Sequence, residues 1–197
     1  MTDRLAAQLA FLTEADKLKS VLRAGTLCDR SRRENSGEHS WHIALYAMVL
    51  ADQADPAVDI GRVIRMLLIH DLVEIDVGDT PIHAQNGAAA HGSADLLAME
   101  QAAAARIFGL LPADQAAEFR ALWDEFEASE TPDAIFAKSL DRVQPVMQNL
   151  ATDGGTWIDY EVTRAQLETR VGQRIARGAP GIWAYLSPIL DRWFARR

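Results

Sequence analysis

The residues of this sequence best suited to metal chemistry lie at the end of one apolar helix. Apolar positions recur at helical spacing from Ile60 onward, and the same stripe continues through Asp71 and Glu74. Burying an unpaired carboxylate is costly, so acids on such a stripe indicate a neutralising partner or a bound cation. His70 beside Asp71 favours a divalent metal. A His-Asp pair also occurs by chance, so the hypothesis depends on further ligands elsewhere in the chain.

Two other helices offer such ligands. His39 begins the inward-facing stripe of a helix predicted over residues 36–54, and Asp141 borders the apolar face of a helix predicted over residues 131–150. His42, one turn after His39 on a neighbouring line, is the competing histidine, and we interpret it as packing or as support for a ligand.

The candidate metal ligands therefore come from three separate helices. Adjacent helical residues diverge by ~100°, so one ion reaches both residues of the His70-Asp71 pair only if other helices close its far side. His39 and Asp141 supply that closure. Two nitrogens and two oxygens suit a transition metal better than Ca²⁺. The expected cofactor is one divalent ion, and the sequence leaves its identity open among Mn, Co, Mg, Ni, Fe and Zn.

Two further acids are placed for catalysis. Glu74 lies one turn after His70 on the same face, where it can orient a metal-bound water or accept its proton. Asp79 follows in a turn over residues 77–81 and can hold that water or protonate a leaving oxygen. The alternatives are a surface acid for Glu74 and turn chemistry for Asp79.

An arginine-rich segment precedes the first histidine. Residues 23–33 include Arg23, Arg30 and Arg33 and show little apolar periodicity. From the residues alone a solvated loop is the favoured interpretation. The alternative is a set of guanidinium groups that bind an anionic substrate, because their planar donors match phosphate.

Composition limits the classes of protein and partner. The chain has 197 residues, 49% of them hydrophobic, and a net charge of −8, which predicts one domain over residues 1–197 and argues against a nucleic-acid duplex as partner. The single cysteine, Cys28, fits a reducing compartment. We find neither a signal-like amino terminus nor an apolar run of ~18 residues, so we expect a cytoplasmic protein with no membrane span.

Helical patterns cover most of the chain, and no strand-like run appears. The sequence therefore predicts an all-α bundle of about seven to nine helices. His83 and His91 fall in a loop and are expected to be exposed. The last helix is aromatic, which suits either core or a dimer contact. The predicted helices cover approximately residues 5–12, 13–22, 36–54, 59–74, 93–108, 113–127, 131–150, 160–176 and 181–195.

Three ordered blocks resemble the H…HD…D signature of HD-domain metal-dependent phosphohydrolases. They are Glu38-His39-Ser40, then His70-Asp71-Leu72-Val73-Glu74 with Gly78-Asp79, and finally Lys138-Ser139-Leu140-Asp141-Arg142. The longer blocks 34–40 and 70–81 resemble the branch that contains bacterial 5′-deoxynucleotidases and their eukaryotic HD-domain relatives. The resemblance covers roughly residues 15–160 and implies an HD-domain core there, with C-terminal helices over residues 160–196 packing on it.

The resemblance also implies roles for individual residues. The matches to the metal ligands are His39, His70, Asp71 and Asp141, and Glu74 and Asp79 match the catalytic acids. Arg23 is the best match to the substrate-phosphate arginine, although Ala24 follows it where the family has tryptophan. Arg30 or Arg33 could share phosphate binding.

The implied activity is removal of phosphate from (deoxy)nucleoside 5′-monophosphates by attack of a metal-bound water, in a protein that is commonly a homodimer. Two alternatives stay open: an HD phosphohydrolase acting on another phosphorylated metabolite or alarmone, and a non-catalytic module that binds metal or nucleotide. Glu74 and Asp79 argue against the second alternative, because a purely structural metal site would not need them.

Overall fold

Helices form most of the chain in the structure, a computed structural model that describes residues 2–83 and 93–197. Short 3₁₀ segments lie at Asp16–Ser20, Ala51–Gln53 and His70–Val73, and a π-helical turn lies at Glu168–Gly172. The α-helices are α1 (Thr2–Ala15), α2 (Ser36–Val49), α3 (Ile60–Ile69), α4 (Glu74–Val77), α5 (Ala94–Phe108), α6 (Ala113–Ala128), α7 (Pro132–Ala151), α8 (Thr156–Asp159), α9 (Arg164–Leu167), α10 (Gln173–Gly178) and α11 (Pro180–Phe194).

The all-α prediction is confirmed. If the continuous segments 60–77 and 164–178 are each counted once, the described residues contain nine helices, within the predicted range. No helix in the described ranges is both long and apolar enough to cross a membrane.

Side-chain caps fix where the site-bearing helices begin. Asn35 accepts a hydrogen bond from the backbone N–H of Glu38, whose carboxylate accepts one from the backbone N–H of Asn35, so α2 starts with a capping box. Thr131 caps α7 with Pro132 at the first helical position, as the sequence predicted. The caps therefore set the register in which α2 and α7 present their polar side chains.

A two-stranded antiparallel hairpin, absent from our prediction, precedes α2. Strand β1 (Leu22–Thr26) pairs with β2 (Arg33–Asn35), and the backbone N–H of Leu27 donates to Arg32 O at 2.9 Å to close the turn. The sequence of this segment favours a loop, because its arginines interrupt any alternation of apolar and polar residues. Its backbone groups are nevertheless satisfied by strand pairing.

The predicted break between two amino-terminal helices is also wrong. A single helix, α1, continues through Thr13, whose Oγ1 donates to Leu9 O at 2.9 Å. Thr13 is thus a helix-interior residue and not a cap, because its hydroxyl bonds to the preceding turn. The predicted helix over residues 36–54 likewise ends earlier, at Val49.

Among the residues that the structure describes, the buried apolar side chains form two clusters, and α7 contributes to both. The first lies between α2, α3, α5, α6 and the first half of α7, where Phe136 and Leu140 are buried. The second lies between Val143 and Val146 of α7 and the C-terminal helices, which contribute Leu167, Ile175, Leu186 and Leu190. The C-terminal helices therefore pack on the helix that carries Asp141. The boundaries of a single domain stay a prediction.

Helix α10 approaches α7 closely at one glycine. A Cβ placed on Gly178 would lie 2.6 Å from Ile135 O and would overlap Ser139 Oγ. Ser139 Oγ is also 3.0 Å from Arg174 O, so one serine contacts the backbone of both helices. Only a residue without a side chain allows this approach.

We expect Gly178→Ala to destabilise the protein by about 1–3 kcal/mol, because a methyl group has no space between the two helices. Urea unfolding followed by circular dichroism measures the change. Gly61→Ala in α3 is the comparison variant, since its Cβ would meet only Asp59 Oδ1, at 3.2 Å, and it should lose less stability than Gly178→Ala. Equal stability of Gly178→Ala and the parent would contradict the close packing of α7 and α10.

Candidate active site

Three buried side chains from separate elements form a cluster that could hold a metal ion. The ligand atoms of His39 on α2, His70 after α3 and Asp141 on α7 all lie within 4.8 Å of one another. Asp141 Oδ1 is 3.0 Å from His39 Nε2 and 3.7 Å from His70 Nε2. Within the described ranges, no other group of three such side chains is close enough to hold an ion.

Both histidines are oriented by a partner on their other ring nitrogen. His70 Nδ1 donates to Leu67 O at 2.9 Å, because a carbonyl can only accept. His39 Nδ1 lies 3.1 Å from Gln144 Oε1, and Gln144 Nε2 donates to Glu34 Oε1 at 2.8 Å, which fixes the direction of the amide. Each Nδ1 therefore carries a proton, and each Nε2 can present a lone pair to the cluster.

The donor set fits a divalent transition metal. His70 Nε2 is buried 2.8 Å from Asp71 Oδ1 but lacks hydrogen-bond geometry with any described atom. A buried polar atom without a partner is uncommon and indicates a missing ligand or ion. Two imidazole nitrogens with a carboxylate match Mn²⁺, Fe²⁺, Co²⁺, Ni²⁺ or Zn²⁺ better than a hard cation such as Ca²⁺.

Asp71, the fourth predicted ligand, lies at the edge of this cluster. Its Oδ1 approaches His70, whereas its Oδ2 accepts a hydrogen bond from Arg23 Nη1 at 3.0 Å. The structure thus brings all four predicted ligands together, with three forming the tightest group. A role for Asp71 as a metal ligand stays a prediction.

The two predicted catalytic acids line a cavity beside the cluster. Glu74 Oε2 accepts a hydrogen bond from Ser36 Oγ at 2.5 Å, and Asp79 Oδ2 accepts one from the backbone N–H of Ala24 at 3.3 Å. Arg23 Nη1 lies between them, 3.9 Å from Glu74 Oε1 and 3.4 Å from Asp79 Oδ1. One guanidinium group therefore contacts both acids as well as Asp71.

The three predicted substrate-binding arginines occupy different environments. Arg23, on β1, is largely buried and lines the cavity, so the solvated-loop interpretation is wrong for it. Arg30 is exposed in the hairpin turn with φ of 62°. Arg33 is exposed and donates to the backbone carbonyls of Leu22 and Arg23. The structure does not bring Arg30 or Arg33 to the cavity lining, and their roles stay predictions.

Electrostatic interactions keep a positive charge at the cluster. Burial lowers the pKa of His70, but the carboxylates of Asp71 and Asp141 outweigh burial and raise it to about 10. Burial raises the pKa of Asp71, but His70 and Arg23 lower it to about 2. In contrast, burial and the charge of Arg23 lower the pKa of His39 to about 4. A divalent cation would replace the proton on His70, because metal binding requires neutral imidazole.

The acids that face the cavity hold their protons more tightly than usual. Burial, reinforced by Asp71, raises the pKa of Glu74 well above its ordinary value, although Arg23 opposes this. Burial also raises the pKa of Asp79. Acids with raised pKa values are suited to general acid–base chemistry near neutral pH.

The cavity has a volume of about 330 Å³, and one side of it consists of residues that our sequence analysis missed. They come from α5, α6, α7 and the C-terminal helices. Of these residues, only Arg142 could have been identified from its place in the sequence, since it follows Asp141 directly. The remainder are brought together by helix packing alone. They include Leu97, Glu100, Trp123, Trp157, Tyr160 and Arg174.

His42 and His83 do not join the cluster. His42 Nδ1 lies 3.4 Å from Gln144 Nε2, so His42 sits behind the cluster, in agreement with a supporting position. His83 was expected to be exposed, and this expectation is wrong, because the side chain is buried against the cavity and lies 3.5 Å from Arg170 Nη1. His91 lies outside the described residues.

Comparison with known proteins agrees with this fold. The family model for the HD domain matches residues 15–183. The human 5′-deoxynucleotidase HDDC2 is 32% identical over 142 residues, which cover 71% of this chain and 65% of the human protein. The Xenopus laevis 5′-deoxynucleotidase HDDC2 is 32% identical over 172 residues, covering 84% of this chain and 73% of its own length.

Solved structures of other proteins are also similar to this chain. A protein from Magnetospirillum magnetotacticum, described as a predicted metal-dependent phosphohydrolase, is 54% identical and superposes with a TM-score of 0.90, covering 98% of this chain and 94% of its own. The PH0347 protein from Pyrococcus horikoshii shares the fold at 21% identity, with a TM-score of 0.64, over 96% of this chain and 99% of its own. The chain belongs to the HD domain family, and this prediction is confirmed.

Glu34 provides a pH-dependent test of the metal-free site. Burial raises its pKa to about 7 from an ordinary 4.5, so its ionisation costs stability as the pH rises through this window. We expect Glu34→Gln, which cannot ionise, to gain stability relative to the parent between pH 5 and pH 8, by on the order of 1–3 kcal/mol. Urea unfolding in EDTA measures this difference. The control is Glu118→Gln, because Glu118 is exposed and pairs with Arg65. The same pH-dependent gain of stability in this control would contradict the assignment of the effect to the buried Glu34.

Proposed function

We propose that the chain is a metal-dependent phosphohydrolase that removes phosphate from deoxynucleoside 5′-monophosphates. The observation that carries the proposal is the buried cluster of His39, His70 and Asp141 beside two cavity-lining acids, Glu74 and Asp79. The names of the relatives support the reaction, and a cavity of about 330 Å³ is of the size that holds a small-molecule ligand.

The chain's own side chains supply acid–base groups and positive charge. A divalent cation, held by His39, His70 and Asp141 and by Asp71 as predicted fourth ligand, would supply a water of lowered pKa and neutralise phosphate charge. Glu74, held by Ser36, orients the attacking water and accepts its proton in the ionised form.

Asp79 completes the acid–base pair. Its raised pKa suits a group that delivers a proton to the leaving sugar oxygen, and the backbone N–H of Ala24 holds its carboxylate in place. Arg23 lies between the two acids and faces the cavity, which supports its predicted contact with phosphate. Arg30 and Arg33 lie away from the cavity lining and would bind phosphate only if the hairpin moved.

Two further properties belong to the proposal. We infer a homodimer, supported by an apolar stripe on α2 whose Trp41, Met48 and Val49 are 61%, 62% and 69% exposed, and a solution mass of one chain would overturn it.

We also infer a cytoplasmic location, supported by the single, unpaired Cys28, which localisation by cell fractionation would test.

The direct test is phosphate release from a panel of ribo- and deoxyribonucleoside 5′-monophosphates. Metal-stripped protein receives Mn²⁺, Co²⁺, Mg²⁺ or Zn²⁺ separately. We expect turnover only with added metal, and faster turnover on the deoxy sugar. Metal-dependent release from other phosphoesters alone would favour the alternative metabolite or alarmone substrate. Release from no phosphoester would contradict the proposed hydrolase.

Glu74→Gln should separate catalysis from metal binding. We expect kcat to fall by about 10²–10⁴, the usual contribution of a general base, while the metal Kd stays within a few fold. Asp76→Asn, two residues away, is the matched control because Asp76 points outward to Arg106 at 2.6 Å, and it should keep parental kcat. Parental activity of Glu74→Gln would contradict the assigned role.

A further inference from the structure

The cations that line the cavity differ in how far carboxylates already neutralise them. Arg23 Nη1 contacts Asp71 at 3.0 Å and Asp79 at 3.4 Å. Lys138 Nζ lies 3.0 Å from Glu127 Oε1. These two cations are therefore paired within the protein, and an incoming anion would compete with their existing partners.

Arg142 and Arg174 are different, because they retain unused donors. Arg142 Nη1 lies 3.1 Å from Asp141 Oδ2, yet its Nε is buried and has no hydrogen-bond partner among the described residues. The Arg174 side chain has no ion pair or hydrogen bond within residues 2–83 and 93–197. Both side chains line the cavity. A ligand inside it meets the unpaired donors of Arg174 and the exposed part of the Arg142 side chain, whereas Arg142 Nε itself is enclosed.

Helix packing brings these two arginines together. Gly178 of α10 lies against Ile135 and Ser139 of α7, and Ser139 also contacts Arg174 O. Arg174 lies one turn before Gly178, and Arg142 lies about one turn after Ser139. Both arginines are therefore about one helical turn from the closest contact between the two helices. The pKa of Arg174 is lowered by partial burial and by the positive charge of Arg142, as expected for neighbouring guanidinium groups.

We propose that Arg142 and Arg174 form a two-arginine site that binds the phosphoryl group of the substrate. Arg142 touches Asp141, and the proposed reaction, on which this inference rests, requires the phosphoryl group to lie against the metal cluster. A phosphate dianion there also faces several carboxylates, so it needs positive charge that is not already neutralised. Arg23, as proposed above, contacts the same phosphoryl group and also holds Asp71, Asp79 and Glu74 in position.

The test is equilibrium binding of inorganic phosphate to the Mn²⁺-loaded protein by calorimetry, which needs no turnover. We expect Arg142→Gln and Arg174→Gln each to raise the phosphate Kd by about tenfold or more, because each removes a charged hydrogen-bond donor. Arg174→Gln should leave the Mn²⁺ Kd unchanged. Arg177→Gln, on the same helix but outside this cavity's lining, is the matched control and should bind phosphate like the parent.

The outcomes separate this site from the proposed function. Absence of phosphate binding by the parent, or a phosphate Kd unchanged in both arginine variants, would overturn the two-arginine site even if nucleotide hydrolysis is found. Arginine-dependent phosphate binding without hydrolysis of any nucleotide would support the site and overturn the function. Arg174 is exposed, so its variant tests the site even if Arg142→Gln fails to fold.

Discussion

Buried negative charge is the constraint on which the rest of this structure depends. The carboxylates of Asp71, Glu74, Asp79 and Asp141 converge where little water can solvate them, and such charges persist only when cations compensate them. Within the protein, the main compensation comes from Arg23 at the centre of the first three. The hairpin β1–β2 is therefore essential to the site, because it places the Arg23 guanidinium between α2 and the helical segment that carries Glu74. His70, Arg23 and Arg142 already balance Asp71 and Asp141 in the metal-free protein, so a divalent cation would bind by replacing the proton on His70.

Helix α7 connects that constraint to the stability of the molecule. It carries Asp141, Arg142 and Gln144 within one turn, and its apolar face contributes to both hydrophobic clusters. Because α10 packs on α7 through Gly178, the C-terminal helices complete the cavity and also bury apolar surface. Substitutions at this contact should consequently affect substrate binding as well as stability. Because the C-terminal helices complete the cavity, several side chains opposite the metal cluster come from a segment that contains none of the sequence motifs.

The sequence predicted what local pattern and motif encode. The start of α7 was predictable from Thr131 and Pro132, and the clustering of His39, His70 and Asp141 followed from inward-facing stripes together with a family resemblance. The hairpin was not predictable, because its pairing satisfies backbone groups without an apolar alternation. The support of His39 by Gln144 and Glu34 depends on contacts between distant elements, and so does the presence of Arg142 and Arg174 in one cavity lining. No spacing within one helix could have revealed them.

The central claim is that the buried histidine–aspartate cluster holds the divalent ion on which hydrolysis depends. Anomalous diffraction from crystals soaked in Mn²⁺ tests it most directly, with crystals of His70→Ala as the comparison. We expect one strong peak per chain, bonded to His39 Nε2, His70 Nε2 and an oxygen of Asp141, and no peak there in the variant. A strong peak elsewhere in an active protein, or hydrolysis by the variant at the parental rate, would contradict the claim.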